Sequence, residues 1–439
     1  MHPFALLALY ACAVLAPLAA SAILYPHDAG FTHELAVGTG LLAYSMLLVQ
    51  FVSSGRFEKL SARVGIDRTM RFHQLTAFTL TLLAALHPLL LAWSSSPSDI
   101  PATLRSFALM LQAPYLRSGV IAWALLLALV PIAIARNRLP VGHEAWRASH
   151  ALAAVAIALA GAHHAISAGS IGGQPLFSVI WATLAALALG SIGNVYLVKP
   201  WWLAKTAYRL AGNREVAKGI REIVLEPAPG RALKFDAGQF AWLKFGVTPL
   251  AFRDHPFSIS SSPEELPRLR FLIRERGDFT ATLRSVPLGT QVSVDAPHGN
   301  FTLRRGRGDA ICLIAGGIGI SPVIGILRHL HASRDRRPIA LVYGARNARQ
   351  MPYRDEIKAL AGVLDLHATF LVEEPEPDWQ GRIGMMIDDA TLHDALRAEP
   401  ARCLCLVCGP TPMMVAVTRR LRTAGVPRRQ LVYERFEYD

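Results

Sequence analysis

Cysteine is scarce in this chain, with five among 439 residues. There is no even, regularly spaced set of the kind that frames a disulfide-stapled fold. Cys12 stands alone in the first half, while Cys312, Cys403, Cys405 and Cys408 fall in the second. The last three crowd together, but Leu404, Leu406 and Val407 make their stretch read as a buried strand, so packing roles are expected. Charge is also sparse, at 18% of residues. The net charge of +13 is scattered, with no basic stripe interleaved with aromatics, and nucleic acid is not an expected partner. No calcium loop of the EF-hand type is present. No pair of carboxylates stands out as an acid–base couple.

What abounds is apolar sequence, 52% of the chain, high for a soluble protein. It is concentrated in residues 1–200, and the chain divides near Lys199–Lys205. Six apolar segments run at about 4–24, 35–53, 72–93, 119–135, 149–167 and 175–198. Each is near the ~20 residues that cross ~30 Å of hydrocarbon as a helix. The first has the small residues Leu18-Ala19-Ala20-Ser21-Ala22 of a cleavable signal. However, its start lacks Lys and Arg and five spans follow, so a retained helix is expected. The loops carry Arg56, Lys59, Arg63, Arg68 and Arg71, then Arg136, Arg138 and Arg147, on one side. The other side has only Arg105 and Arg117, in the loop 94–118. This bias sets the N-terminus and the soluble half in the cytosol, as in a bacterial-type inner (plasma) membrane.

Histidines stand inside two of these spans: His73 and His87 in the third, His150, His163 and His164 in the fifth. Ionisable side chains inside a span are costly and mark function. A spacing of 14 is ~21 Å of rise and nearly four turns, so His73 and His87 share a face at two depths. Two helices so equipped suit axial ligation of two haems, one above the other, and bis-imidazole ligation suits electron transfer. On the fifth span straight-helix geometry aligns His164 with His150, since 13 residues fall about 140° short of whole turns. A helix loosened at Gly161 would change that, and both residues stay open. His2, His27, His33 and His143 read as interfacial.

This two-helix pattern resembles the ferric reductase and NADPH oxidase transmembrane domain. In that family the spacings are 14 and 13, which implies His73, His87, His150 and His163 as ligands of two haem b groups. By topology His73 and His150 would hold the inner haem, His87 and His163 the outer. Superoxide-producing members place another histidine where this chain has Leu91, which puts oxygen as acceptor in question.

Past Trp201-Trp202 the pattern turns to short alternating strands, Ile220–Leu225, Phe240–Phe245 and Leu269–Ile273, which predict a small antiparallel barrel. From about Asp309, strands at Ala310–Ala315, Ile339–Tyr343 and Cys403–Val407 alternate with helices, which predicts a parallel α/β sheet. Arg253 with His255-Pro256-Phe257-Ser258-Ile259-Ser260-Ser261 resembles the flavin-binding stretch of ferredoxin–NADP reductases, with Ser258 nearest the reactive flavin nitrogen. Gly277-Asp278-Phe279-Thr280 resembles that family's second flavin segment, its glycine turn offering amides to a pyrophosphate. Ala296-Pro297-His298-Gly299-Asn300-Phe301 resembles a third, departing at Ala296 and His298. Together they imply FAD.

Ala315-Gly316-Gly317-Ile318-Gly319-Ile320-Ser321-Pro322 links a strand to a helix at Val323–Leu330, where glycines let the backbone approach a pyrophosphate. Val407-Cys408-Gly409-Pro410 ends a later strand, and in the family that segment lines the nicotinamide pocket. Arg346, at another strand end, suits a ribose 2′-phosphate or plain solvation, which leans the expectation to NADPH over NADH. Tyr353 is a candidate for the adenine end, and Phe436 for an aromatic covering the flavin.

The expected organisation is a six-span haem-binding domain at 1–200, an FAD-binding barrel at 210–306 and an NAD(P)-binding α/β domain at 307–439. The resemblance implies a transmembrane oxidoreductase passing electrons from cytosolic NADPH through FAD and two haems to oxygen or ferric iron outside. The alternative is an electron-supply subunit delivering to a quinone or a periplasmic redox protein.

Overall fold

The computed structural model describes residues 3–25, 30–52, 65–168, 171, 173–227, 233–246, 253–306, 308–384 and 388–434. Of the residues singled out above, His2, His27, Arg56, Lys59, Arg63 and Phe436 lie outside that set. The chain forms two compact units, Met1–Lys199 and Pro200–Asp439.

The first unit is helical because lipid offers no partner to a bare peptide group, and a helix satisfies its own. Its apolar helices are α1 (Pro3–Leu24), α2 (Phe31–Gln50), α3 (Ile66–Ser95), α5 (Arg117–Ala135), α6 (His143–Ser167) and α7 (Pro175–Gly193). Six described helices are long and apolar enough to cross a membrane. α3 and α6 begin earlier than the apolar pattern predicts, because polar turns after Gly65 and Gly142 continue the helix before its apolar part starts. The loop 94–118 holds α4 (Ile100–Gln112), capped by the Asp99 carboxylate accepting from Ala102 N at 2.9 Å. α7 runs on through a π turn, Asn194–Val198, into α8 (Lys199–Lys205).

In the second unit, β1 (Tyr208–Ala217), β2 (Ile220–Pro227), β3 (Phe240–Phe245), β4 (His255–Ser258), β5 (Leu269–Arg274) and β6 (Gln291–His298) form one antiparallel sheet, ordered β4-β3-β6-β1-β2-β5. A short α9 (Asp278–Thr282) follows β5. Alternating apolar positions such as Leu210, Ile223, Leu243, Phe271 and Val294 close the barrel core.

The second sheet comprises β7 (Ala310–Gly316), β8 (Ile339–Ala345), β9 (Leu366–Val372), β10 (Arg382–Ile383), β11 (Cys403–Cys408) and β12 (Leu431–Tyr433), all parallel and ordered β10-β9-β8-β7-β11-β12. α10 (Ile320–Ala332), α11 (Arg354–Ala361), α12 (Asp389–Ala395) and α13 (Thr411–Thr423) flank it. β7 and β11 are buried at every position, as strands covered on both faces must be. They sit side by side at the centre, so their carboxyl ends make the crevice where such sheets bind ligands.

Candidate functional site

In the membrane unit α3 packs mainly on α2, and α6 on α5 and α7. His73 and His150 are close enough for their charges to interact, and so are His87 and His164. His87 Nδ1 donates to the Ala36 carbonyl at 2.7 Å, which leaves its Nε2 as a lone-pair donor. This is the tautomer a metal-ligating imidazole needs. A Cβ on Gly40 would meet the His87 ring at 2.7 Å, and one on Gly119 would meet His164 at 2.5 Å. Both rings therefore lie in beds that only glycine leaves open.

His163 is exposed, with Nδ1 hydrogen bonded to Ser118 Oγ at 2.9 Å and to Ser167 Oγ at 3.2 Å. α6 runs unbroken through Gly161, which serves a different purpose from a helix break: the Tyr44 ring packs there, 2.7 Å from where a Cβ would stand. Tyr44 also donates its hydroxyl to Ala158 O at 2.9 Å. Leu91 lies on α3, one turn beyond His87. The donor set, two imidazole pairs at two levels with one tautomer fixed, fits bis-histidine haem ligation.

In the soluble unit the sequence-distant motifs converge. β4 carries His255, Pro256, Phe257 and Ser258, with Arg253 exposed just before it. His255 stacks on Phe279 with ring centroids 3.8 Å apart, which joins the first flavin segment to the second. Gly277 caps α9, but its amide and that of Arg276 donate to Thr280 Oγ1 at 3.0 and 2.9 Å. Thr280 thus holds the turn in shape. Asp278 and Phe279 supply the first helical amides. Gly299, at φ 86°, needs the left-handed region that glycine favours, and Gln239 Nε2 donates to its carbonyl at 3.0 Å. Ser260 and Ser261 are wholly buried behind the strand.

The turn Gly317–Gly319 leads from β7 into α10, where Ser321 and Pro322 are buried. A Cβ on Gly319 would stand 2.3 Å from Cys408 O, and one on Gly409 would stand 3.0 Å from Gly316 N. The glycine turn and the Cys408-Gly409-Pro410 corner therefore touch backbone to backbone, where any side chain would separate them. Burial, with the Glu434 charge adding to it, pushes the Cys408 thiol up, so Cys408 stays neutral. Cys403 is likewise raised, by its hydrogen bond with Cys405 and by burial, and Cys405 by its hydrogen bond with Cys312 and by burial, against the opposing bond with Cys403; all five cysteines are unbridged.

Glu434 was not among the residues that sequence reasoning assigned. It is buried beside Gly299, its carboxylate 2.6 Å from a Cβ there, and accepts from Asn300 N at 3.3 Å. It thus ties the end of β12 to the third flavin segment, and its charge reaches Cys408. The available signal was an acid following the apolar strand Leu431–Tyr433.

Arg346 and Tyr353 both have carboxylate partners. Arg346 pairs with Glu374 through two bonds of 2.8 and 2.9 Å, both side chains exposed. Tyr353 donates its hydroxyl to buried Glu222 of β2 and lies under the Arg328 guanidinium, 4.9 Å from its ring. That hydroxyl ties the Tyr353 turn to β2 of the barrel. Burial alone would raise the Glu222 carboxyl, but the Tyr353 hydroxyl and Arg214, with Arg270, hold it below the ordinary glutamate range.

Three family models match successive parts of the chain. Residues 39–161 match the ferric reductase like transmembrane component, 223–303 an FAD-binding domain and 313–419 the oxidoreductase NAD-binding domain. The reductase component of propane 2-monooxygenase from Mycolicibacterium goodii is 32% identical over 228 residues, 50% of this chain and 64% of that protein. The chain therefore spans less than two thirds of that relative's length. A flavohemoprotein of Burkholderia sp. (strain TH2) is 30% identical over 262 residues, 58% of this chain and 65% of its own. Ferredoxin--NADP reductase B of Sorangium cellulosum is 29% identical over 242 residues, 52% of this chain and 96% of its own. Along the chain, six helices long and apolar enough to cross a membrane, in a part similar to the ferric reductase like transmembrane component, are followed by parts similar to an FAD-binding domain and to the oxidoreductase NAD-binding domain.

Proposed function

We propose that the protein moves electrons from cytosolic NADPH, with NADH the alternative, through FAD and two haem b groups to oxygen or ferric iron on the outer side. The observation that carries this reading is the set of imidazole pairs inside α3 and α6, on one chain with the flavin and nicotinamide segments. Bound FAD would take a hydride as an electron pair and release electrons singly to haem iron, which accepts one at a time.

His73 and His150 would hold the inner haem, and His87 with a histidine of α6 the outer. His163 keeps the family spacing, and its contact with Ser118 suits a ring whose Nε2 binds metal. His164 stands close enough to His87 for their charges to interact. Replacing each with alanine and counting haem decides between them: the ligand is the one whose loss removes one haem.

Arg253, His255, Pro256, Phe257, Ser258 and Ser260, with Gly277, Asp278, Phe279, Thr280 and Gly299, would hold FAD. Gly316, Gly317, Gly319, Ser321 and Pro322 would receive the nucleotide pyrophosphate, and Cys408, Gly409 and Pro410 the nicotinamide. Phe436 would cover the flavin until the nicotinamide displaces it. Arg346 is free to exchange an exposed carboxylate for a 2′-phosphate, because such surface pairs are weak.

A second reading, delivery to a quinone or a periplasmic redox protein, is favoured by Leu91 in place of a further histidine. It is also favoured by α4, whose exposed Ile100, Leu104 and Leu111 form one apolar side. Pyridine haemochrome and flavin analysis of the purified protein tests the core of the proposal, which a colourless preparation made with ample haem supply would overturn. Reduction of cytochrome c that superoxide dismutase suppresses, without a partner, favours oxygen. Haem that NADPH reduces and that stays reduced in air favours the second reading.

A further inference from the structure

The helix that opens at the glycine turn faces two ways. On α10, Ile320, Val323, Ile324, Ile326, Leu327 and Leu330 are buried in the core of the second sheet. Ser321, Gly325 and Arg328, spaced by four and three, share one helical face. All three meet the backbone of residues 258–261, which continues β4. Ser321 Oγ donates to Ser258 O at 3.1 Å, and Arg328 Nη1 donates to Ser260 O at 2.8 Å. Between them a Cβ on Gly325 would stand 3.0 Å from Ser261 O and 3.1 Å from Ile259 O.

The far side of the same segment is pinned too. Ile259 N donates to Gln239 O at 2.9 Å and Ser260 N to Arg270 O at 2.8 Å. Arg328 is itself held by Glu356 at 2.6 and 2.8 Å, and it covers Tyr353, whose hydroxyl returns to Glu222 in the barrel. Burial works against the Arg328 charge, yet Glu356 more than offsets it and keeps the guanidinium ionised.

We infer that this seam sets the distance between flavin and nicotinamide, and that Ser321, Gly325 and Arg328 are positioning residues for hydride transfer. The inference rests on the proposed function. In the transfer, a hydrogen leaves the reduced nicotinamide with both electrons of its C–H bond and bonds to the flavin, so the nicotinamide is oxidised and the flavin reduced by two electrons. Such steps require the reacting atoms at about 3–3.5 Å, and small misplacements are expensive. The turn Gly317–Gly319 and the strand bearing Ser258 are joined through one face of α10. Only glycine at 325 lets the two backbones come this close.

Gly325→Ala separates positioning from folding. Alanine favours a helix, while its methyl must push residues 259–261 away by a few tenths of an ångström. The test is anaerobic stopped-flow reduction of the full-length flavoprotein by NADPH and by NADH, for wild type, Gly325→Ala, Arg328→Met and Arg328→Lys. FAD per chain and the visible circular dichroism of the bound flavin are measured alongside. We expect Gly325→Ala to lower the limiting rate about tenfold, with nucleotide Kd and FAD content unchanged, the primary deuterium isotope effect larger and the flavin dichroism altered. Arg328→Met should do the same, with partial recovery in Arg328→Lys.

Wild-type limiting rates in both Gly325→Ala and Arg328→Met would overturn the inference. So would losses that vanish once rates are corrected for missing FAD, since the seam would then only hold the domains together. A wild-type protein without FAD, or one bleached by neither nucleotide, overturns the underlying functional reading first, before any variant is compared.

Discussion

The two units bury apolar side chains by opposite logic. In β7 and β11 of the soluble unit every position is buried, whereas in α5 of the membrane unit Leu126 is the one described buried residue. Leu82, Leu152, Leu159 and Val179 of the spans stand exposed, because lipid supplies the apolar surroundings that a protein core supplies elsewhere. The difference extends to how each half encodes its chemistry. Helices that satisfy their own backbones write a site as side chains at fixed spacing along one axis. The soluble half writes it as backbone shapes, which meet only when distant strands pair.

The comparison can be broken most decisively in the membrane half. His73→Ala and His87→Ala should each lower haem content from two per chain to one and abolish outward electron delivery, because an axial ligand has no substitute. Pyridine haemochrome analysis and acceptor reduction check this, and two haems retained in both variants would remove the ligand assignment.

Next in size is the backbone contact between the nucleotide motifs. Gly319→Ala forces a Cβ towards Cys408 O, 2.3 Å away in the present backbone. Flavin reduction by NADPH should fall by roughly 100-fold, the scale of a ~1 Å misplacement, while dithionite still reduces the haems. Stopped-flow measurement with each reductant tests both parts.

A smaller effect is expected at the domain lock. Glu222→Gln leaves Arg214, Arg270 and the Tyr353 hydroxyl with a neutral partner and should cost about 1–3 kcal/mol of stability, measured by thermal or denaturant unfolding. Since Glu222 has its folded pKa below the unfolded one, its contribution is complete above the ordinary glutamate value of ~4.3. It is lost as pH falls through the lower folded value. Wild type should therefore lose stability on acidification below about pH 4, and Glu222→Gln should lose less over that window. An identical acid profile in the two proteins would remove Glu222 from the lock.

The smallest effect belongs to the exposed Arg346–Glu374 pair. Arg346→Ala should weaken NADPH use by only a few-fold, as surface ion pairs are worth ~1 kcal/mol or less, and NADH use should not change. An equal loss with both nucleotides would show that Arg346 does not contact the 2′-phosphate.

Much of the architecture was legible along the chain. Apolar run length marks a membrane helix whatever its neighbours do, and alternation gives way to βα patterning where the barrel ends. The glycine turn at 316–319 and the corner at 408–410 were each visible because strand, turn and helix signals lie side by side. Legibility failed where a residue's role depends on what arrives from elsewhere. The Glu222 partner of Tyr353 and the Glu374 partner of Arg346 lie 131 and 28 positions away, and nothing beside either residue announces them. Glu434 passed as one more acid after a short apolar strand, since nothing local shows that Gly299 lies against it.

Sequence alone determined the six apolar runs and the spacing of the histidines within them, because position along a helix needs no distant partner. The order of the FAD and NAD(P) parts was legible through resemblance to a known family. Tertiary structure alone decided that Gly40 beds the His87 ring and Gly119 the His164 ring, how closely Gly319 approaches Cys408, and that Ser321, Gly325 and Arg328 clasp the strand of Ser258. Those contacts join residues tens to hundreds of positions apart, and only chain folding sets their distances.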